Sequence, residues 1–160
     1  MSIILECEKW VRKLGVTIAT AESCTGGLVA SEMVSVPHSS DWFLEGCVTY
    51  IPEAKITRLG VNPESIVKYG VVSGEVACEM AKGVRCNLGA DWGLSTTGYA
   101  GPGGGDSENP VGTVYVAVSN ELGERSIRLS LSGDRNEIRL QAMQRAIEFL
   151  ISEMKKQDSK

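Results

Sequence analysis

Ser23 is the first residue whose surroundings could support catalysis, because it follows a predicted strand and precedes a predicted helix. Thr25, Gly26 and Gly27 come within the next four residues. The first N–H groups of a helix have no partner within the helix, so here they could bind an anion or stabilise an oxyanion that develops beside the Ser23 hydroxyl. The same serine could serve only as an N-cap, although two consecutive glycines are more than a cap requires.

Cys24 is an alternative nucleophile beside Ser23, since a helix N-terminus lowers the pKa of a thiol. The only histidine of the chain, His38, would then have to act as its base. We expect Cys24 to be a buried neighbour of the nucleophile instead. A single histidine also excludes most zinc sites and every histidine-rich metal site, so we expect no metal and no cofactor.

Tyr50 and Lys55 form a second candidate pair, because Tyr50 ends a predicted strand and Lys55 lies in the first turn of the next helix. The ends of strands and the starts of helices are where α/β proteins build their sites. Most lysines are solvated surface charges, and such a lysine is protonated at neutral pH and cannot act as a base. A catalytic Lys55 therefore requires burial, which lowers the pKa of its amino group.

A glycine-rich segment over 98–110 follows another predicted strand and includes Gly101, Gly103 and Gly104. Backbone N–H groups in such a run can close around a phosphate or a nucleotide. The segment is not a Walker loop, because no Gly-Lys-Ser/Thr follows, and it is not the dinucleotide-binding fingerprint, because a strand follows it instead of a helix. A flexible surface loop would have the same composition.

Arg135 lies in the first turn of the last predicted helix, directly after the N-cap Asp134. A cation at that end opposes the helix dipole, so Arg135 does not serve helix stability and suits the binding of a phosphate or a carboxylate. Arg139, one turn later, is a second choice for this role. A plain surface arginine is the alternative interpretation.

These candidates need a scaffold that brings them together, and the hydrophobic pattern predicts one in which helices and strands alternate. Helices are predicted over 3–14 and 25–35, from Pro52 to Gly60, from Pro63 to Gly70, after the N-cap Ser73, and after Asp134 with its capping-box partner Glu137. Strands are predicted over 16–20, 43–50, 92–97, 111–118 and 125–131. The pattern predicts an α/β fold, a three-layer α/β/α arrangement with a mixed sheet, in a single domain over 1–160. We expect an ordered core from about residue 3 to 155 and a frayed end from Lys156 to Lys160.

The composition excludes several classes of protein. Hydrophobic residues make up 42% and charged residues 22% of the 160 residues, which excludes a chain that is disordered throughout. No apolar run approaches the roughly 18 residues of a membrane span, and a net charge of −4 argues against direct binding of nucleic acid. The five cysteines form no Cys-x-x-Cys pair and we expect no secretory leader, so we also expect reduced, mostly buried thiols in a cytoplasmic protein.

Six segments, taken together and in order, resemble the motifs of the CinA C-terminal domain family. They are 21–27, 48–50 with 53–55, 69–73, 97–102, 110–114 and 133–135. The resemblance runs from about residue 3 to 155. The ordered set is highly specific, whereas any one of its motifs alone would be weak.

The resemblance implies a function and a set of site residues. Members of this family are known as nicotinamide mononucleotide deamidases, which hydrolyse the carboxamide of the nucleotide to give nicotinic acid mononucleotide and ammonia. On the matching positions, the resemblance implies Ser23 as the nucleophile and Lys55 as the base, supported by Tyr50, Ser40 and Arg135. It also implies that the glycine-rich segment and the arginine hold the ribose and the phosphate, and that the chain forms a homo-oligomer.

Two departures from the family pattern are visible. Tyr99 stands where the family usually has a small aliphatic residue, and Ile51-Pro52 replaces a usual polar pair. Neither removes a proposed catalytic residue, but Tyr99 could alter the shape of the pocket and the substrate preference. The competing hypothesis is a non-catalytic nucleotide-binding module with a regulatory role in competence or in the response to DNA damage, and release of ammonia separates the two.

Overall fold

Five strands form one mixed sheet in the computed structural model, which describes residues 1–160. The strands are β1 (Ile18–Glu22), β2 (Phe43–Val48), β3 (Trp92–Gly98), β4 (Thr113–Asn120) and β5 (Gly123–Ser130), in the sheet order β2-β1-β3-β4-β5. β1 is parallel to both of its neighbours, whereas β4 and β5 are antiparallel and form a hairpin. The parallel half therefore brings the carboxyl ends of three strands to one edge.

Six helices cover the two faces of the sheet: α1 (Ile3–Leu14), α2 (Leu28–Met33), α3 (Pro52–Leu59), α4 (Pro63–Tyr69), α5 (Gly74–Leu88) and α6 (Arg135–Asp158). On one face, α1, α2 and α6 bury the larger apolar core, which includes Ile18 and Leu94 of the sheet. On the other face, α3 and α5 pack on a smaller core around Ala19 and Ala21, and α4 packs on α5. The predicted three-layer α/β/α fold with a mixed sheet is confirmed.

Local sequence signals set several helix ends as predicted. The side chain of Ser73 accepts a hydrogen bond from a backbone N–H of α5, and Asp134 forms a complete capping box with Glu137 at the start of α6. The helices α1 and α3 end at Gly15 and Gly60, which both adopt the left-handed conformation that favours glycine.

Two boundaries beside Ser23 differ from the prediction. β1 extends to Glu22 and does not end at residue 20, because backbone pairing with both β2 and β3 continues through Glu22. α2 begins only after Gly26 and Gly27, whose φ angles of 57° and 100° lie outside the helical region. Ser23 therefore opens a separate turn between the strand and the helix.

The end of the chain is more ordered than the sequence predicts. α6 continues to Asp158, although fraying was expected from Lys156 onward. An ion pair between Lys13 and Asp158, together with the full burial of Met154, holds the last turns of α6 against α1. None of the six helices combines the length and the apolar character that a membrane crossing requires.

All five cysteines are free thiols, but the expectation that most of them are buried holds only in part. Cys7 and Cys24 are buried, Cys47 and Cys78 are half-buried, and Cys86 is exposed. Burial raises the pKa of Cys7 to about 12, with a smaller contribution from neighbouring carboxylates. Cys7 is therefore a packing residue of the core.

Candidate active site

The carboxyl ends of β1, β2 and β3 meet at one edge of the sheet and position the candidate residues. Ser23 follows β1 directly, and its N–H donates to the carbonyl oxygen of Thr96 in β3 at 3.0 Å. On the other side, the N–H of Thr49, just after β2, donates to the carbonyl oxygen of Glu22 at 2.8 Å. Hydrogen bonds with the strands on both sides of β1, which are β2 and β3, therefore fix the backbone at Ser23.

Lys55 is buried next to Ser23, with 1% of its surface exposed. Its nitrogen Nζ lies 3.0 Å from Ser23 Oγ, and it donates to the carbonyl oxygens of Thr49 at 2.7 Å and Tyr50 at 3.2 Å. Carbonyl oxygens only accept hydrogen bonds, so two N–H bonds of Lys55 are committed to them. The neutral amine has only two N–H bonds, so in that form its lone pair can accept from the Ser23 hydroxyl, which otherwise donates only to the carbonyl oxygen of Tyr50 at 3.5 Å.

Burial lowers the pKa of Lys55 from 10.5 to about 8, because desolvation disfavours the ammonium form. The thiol of Cys24 acts in the opposite direction with a smaller effect. The three polar partners of Lys55 are neutral oxygen atoms, so none of them restores the charge as a carboxylate would. At pH 8, roughly half of the molecules carry the neutral amine that a general base requires.

Cys24 lines the same cavity as Ser23 but is not ionised at neutral pH. Burial raises the pKa of its thiol to about 11, and the nearby charges of Lys55 and Arg139 offset only part of this effect. Desolvation therefore outweighs the lowering of the thiol pKa that a helix N-terminus can provide. Because the thiolate is the reactive form, Ser23 is the better-placed nucleophile.

The buried carboxylate of Glu22 builds the turn that carries Ser23. It accepts hydrogen bonds from the Thr25 hydroxyl at 2.6 Å and from three backbone N–H groups at the start of α2, at 2.9 to 3.2 Å. The N–H groups that the sequence offered to an external anion are thus engaged by the protein's own carboxylate. Sequence reasoning missed Glu22, and the signal for it is a charged residue that ends an apolar strand just before a helix N-terminus.

Thr25, Gly26 and Gly27 accordingly belong to the support of the turn and do not line the cavity. The Thr25 hydroxyl also shares a hydrogen bond with the hydroxyl of Thr96 at 2.8 Å, inside the protein. The backbone N–H of Cys24, a residue that does line the cavity, donates to no backbone carbonyl, so this donor of the turn remains for an oxyanion.

Arg139 of α6 fastens the same turn from outside. Its Nε and Nη2 donate to the carbonyl oxygens of Cys24 and Thr25 at 3.0 and 3.1 Å. A Cβ atom at Gly26 would lie 3.1 Å from Arg139 Nη2, so the glycine leaves room for the guanidinium. Arg139 therefore supports the turn and does not line the cavity.

Arg135 lies at the cavity and connects two of its walls. Its Nη1 donates to the carbonyl oxygen of Gly101 at 2.6 Å, and its Nη2 donates to the Tyr50 hydroxyl at 3.0 Å. Arg135 is exposed, and because both partners are neutral oxygen atoms, no carboxylate compensates its charge. Of the two arginines that the sequence suggested, Arg135 is the one placed to meet an anionic ligand.

The cavity that these residues surround has a volume of about 230 Å³. It brings together the predicted residues Ser23, Tyr50, Lys55, Gly101, Gly103 and Arg135, whereas Gly104 lies behind the ring of Tyr99, which does line it. No aspartate or glutamate contributes to the lining. The cavity is therefore electropositive, which suits an anionic or zwitterionic ligand.

A larger cavity of about 650 Å³ lies between β5 and the end of α6, away from these residues. Its wall includes Arg125, Glu153 and Lys156, and both cations pair with the one carboxylate. The two cations share one carboxylate, so the arrangement is a surface ion-pair network. It offers no serine held against a buried base.

Ser40 does not join the active-site cluster, although the resemblance suggested it. It is exposed and lies in a short 3₁₀ helix (Ser39–Asp41) that precedes β2, whereas Ser23 follows β1. The two strands are parallel, so Ser40 lies at the opposite edge of the sheet, separated by roughly 3.3 Å for each of the paired residues. His38 is in the same turn and is equally remote from Ser23.

Comparison with known proteins points to one family. The sequence profile described as the CinA C-terminal domain matches residues 2–154. A CinA-like protein from Kosmotoga olearia is 51% identical over 140 residues, a match that covers 88% of this chain and 34% of that protein. The chain thus spans about a third of the length of the curated relatives it matches.

Solved structures share the fold over nearly the whole chain. A competence/damage inducible protein from Agrobacterium tumefaciens superposes with a TM-score of 0.88 at 36% identity, covering 95% of this chain and 98% of that one. A CinA superfamily protein from Klebsiella pneumoniae superposes with a TM-score of 0.91 at 30% identity, covering 95% of each chain.

Proposed function

Because this chain belongs to the CinA C-terminal domain family, we propose that it is a nicotinamide-nucleotide amidase. The reaction hydrolyses the carboxamide of nicotinamide mononucleotide and releases nicotinic acid mononucleotide and ammonia. The observation that carries the proposal is the buried Lys55, whose Nζ lies 3.0 Å from Ser23 Oγ while two carbonyl oxygens hold its N–H bonds. A hydroxyl held against a buried amine whose lowered pKa allows it to lose its proton is a nucleophile with its base.

In the first half of the reaction, neutral Lys55 takes the hydroxyl proton of Ser23, and Oγ attacks the carboxamide carbon. The oxyanion that forms is stabilised by the backbone N–H of Cys24, which lines the cavity. The Lys55 ammonium then gives its proton to the departing nitrogen, the C–N bond breaks, and ammonia leaves an acyl ester on Ser23. The positive pyridinium ring of the substrate favours the attack because it withdraws electrons from the carboxamide.

In the second half, Lys55 is neutral again and takes a proton from water. The hydroxide attacks the ester carbon, and Ser23 Oγ leaves with the proton that Lys55 holds. One amide and one water are thereby converted into one carboxylic acid and one ammonia, so the chemistry requires water as the only co-reactant.

The cavity volume supports a binding mode in which one part of the substrate lies inside the cavity and the rest lies at its opening. At about 230 Å³, the cavity is smaller than the roughly 300–1,000 Å³ of typical ligand pockets. The nicotinamide ring would occupy it, with the ribose beside Gly101 and Gly103 and the phosphate on Arg135. The uncompensated charge of Arg135 supports this assignment of the phosphate.

The test is release of ammonia from nicotinamide mononucleotide, compared with nicotinamide riboside and free nicotinamide. The proposal expects turnover of the nucleotide, weaker turnover of the riboside, which lacks the phosphate, and none in a Ser23→Ala variant. A non-catalytic nucleotide-binding module would bind the mononucleotide without releasing ammonia. That result would overturn the proposal, although it would leave the burial of Lys55 unexplained.

We also propose that the chain acts in the cytoplasm, binds this small nucleotide and no nucleic acid, and self-associates. The net charge of −4 supports the second point, because nucleic-acid-binding domains usually carry clustered cations. Light scattering measures self-association, and a gel-shift assay with single- and double-stranded DNA tests the absence of binding.

A further inference from the structure

A cationic ring that enters this cavity is repelled by the cationic side chains that line it. The side chains of Lys55 and Arg135 line the cavity, and no carboxylate does. The substrate's phosphate can neutralise the positive charge of Arg135, but no acidic side chain of the lining can neutralise the positive pyridinium ring. Apart from carbonyl and hydroxyl oxygens, the groups of the lining that attract a cation are the faces of aromatic rings.

Two aromatic side chains line the cavity, Tyr50 and Tyr99. Tyr50 is 56% exposed, and its hydroxyl already accepts a hydrogen bond from Arg135, so this ring lies beside a cation and in contact with water. Tyr99 is half-buried, and its side chain forms neither a hydrogen bond nor a contact with a cation in the chain. Because attraction between a cation and a ring is stronger away from water, Tyr99 is the better partner.

The backbone and Gly104 fix the position of Tyr99. Its N–H donates to the carbonyl oxygen of Thr113 at 2.9 Å, and its carbonyl oxygen accepts from the N–H of Gly112 at 2.8 Å. A Cβ atom at Gly104 would lie 3.2 Å from Cδ1 of the Tyr99 ring, and Gly104 has a φ of +84°, which side-chain-bearing residues rarely adopt. The glycine therefore allows the ring to rest closely against the loop.

We propose that Tyr99 is a specificity-determining residue whose ring binds the pyridinium ring of the substrate and selects its positive charge. The inference rests on the proposed function and deepens it. It assigns the site to oxidised pyridinium nucleotides and sets them apart from nucleotides of the same shape with a neutral ring.

The experiment measures dissociation constants by calorimetry in a Ser23→Ala background, where no turnover disturbs the titration. The probes are nicotinamide mononucleotide, its reduced dihydropyridine form, which is neutral at the ring, and ribose 5-phosphate, which lacks the ring. Tyr99→Leu should weaken binding of the oxidised nucleotide by about 5- to 30-fold and binding of the other two by less than about threefold. Tyr69→Leu, at an exposed tyrosine outside the cavity, is the matched control.

A second pair of substitutions keeps the shape of the side chain. Tyr99→Phe should retain the preference for the oxidised form, and trifluorophenylalanine at the same position should lose most of it, because fluorine withdraws charge from the ring face. Equal losses for the oxidised and reduced nucleotides, or no loss for either, would overturn the inference while turnover by the wild type still supported the proposed function. If the oxidised nucleotide binds to no variant and wild type releases no ammonia, the proposed function fails with it.

Discussion

Arg135 and Arg139 lie one turn apart on α6 and hold opposite sides of the candidate site. Arg135 donates to Gly101 and Tyr50 at the cavity, whereas Arg139 donates to the carbonyl oxygens of the turn behind Ser23. The first turns of α6 therefore carry one arginine that faces the cavity, Arg135, and one that supports the turn, Arg139. The two arginines are similar in sequence position, but they differ in what their removal should change.

Arg135→Ala should raise the KM for nicotinamide mononucleotide by about 10- to 100-fold with a smaller fall in kcat, since a charged hydrogen bond contributes about 1.5–3 kcal/mol. Arg139→Ala should lower kcat and the Tm, because the carbonyl groups of the Ser23 turn lose their donors. Steady-state kinetics and thermal unfolding of both variants test the assignment. A larger effect on KM from Arg139→Ala would reverse the two roles.

Ser23→Ala should reduce kcat by roughly four to six orders of magnitude, as loss of a nucleophile does in serine hydrolases. Cys24→Ala is the matched control, because the buried thiol stays protonated and takes no part in the chemistry. We expect the control to keep kcat within about tenfold. Mass spectrometry of a rapidly quenched reaction should find the acyl group on the peptide that contains Ser23. Retained activity in Ser23→Ala, with loss in Cys24→Ala, would transfer the role to the thiol.

The pH dependence of the rate should report the ionisation of Lys55. The neutral amine is the active form, so kcat/KM should rise about tenfold per pH unit and level off above a pKa of about 8. In the substrate complex, the pyridinium charge further disfavours the ammonium form, so the corresponding pKa in kcat should be lower. Lys55→Arg should not restore activity, because guanidinium stays protonated. An active arginine variant would show that Lys55 supplies only positive charge.

Lys55 should also make the stability of the fold depend on pH. The pKa of Lys55 is about 8 in the folded chain and 10.5 without burial, so between these values the unfolded chain binds more protons and stability rises with pH. Below about pH 8 both states are protonated, and the full cost of the buried ammonium is present. Lys55→Met removes this cost, so the free energy of unfolding of wild type minus that of the variant should increase from pH 8 to 10.5.

Urea unfolding at several pH values measures that difference, and Lys82→Met, at an exposed lysine of α5, should show no such increase. A constant difference between wild type and Lys55→Met would mean that Lys55 ionises as it does in the unfolded chain.

Glu22→Gln should loosen the turn that carries Ser23. The carboxylate accepts four hydrogen bonds, and a glutamine amide would place an NH₂ group against at least one of the N–H donors. We expect a loss of about 1.5–3 kcal/mol in the free energy of unfolding and a fall in kcat of at least about tenfold. Glu32→Gln on α2, whose carboxylate forms no hydrogen bond, should change neither. An unaffected kcat in Glu22→Gln would separate the turn from catalysis.

Sequence reasoning predicted the features that local chemistry determines. The capping box of Asp134 and Glu137 and the N-cap Ser73 depend on neighbouring residues, and both are present in the structure. The order of helices and strands follows from the spacing of apolar residues, which is also local.

Features that depend on contacts across the sheet are harder to predict from the sequence. The burial of Lys55 arises because the segment after β2 folds over the end of β1, and nothing in the residues around Lys55 requires it. Ser40 was assigned by resemblance, and only the parallel register of β1 and β2 shows that it lies at the other edge. Glu22 was overlooked because its role requires a helix that begins after a turn of unusual backbone conformation.

The position of β2 at the border of the sheet has a consequence for how activity is lost. Ser23 follows β1, which has a neighbour on each side, whereas the carbonyl groups that hold Lys55 follow β2, which pairs only with β1. Peripheral strands open locally at a lower free energy than the centre of a sheet. A brief separation of β2 from β1 would move Lys55 away from Ser23. The protein can therefore lose its activity while most of its fold persists.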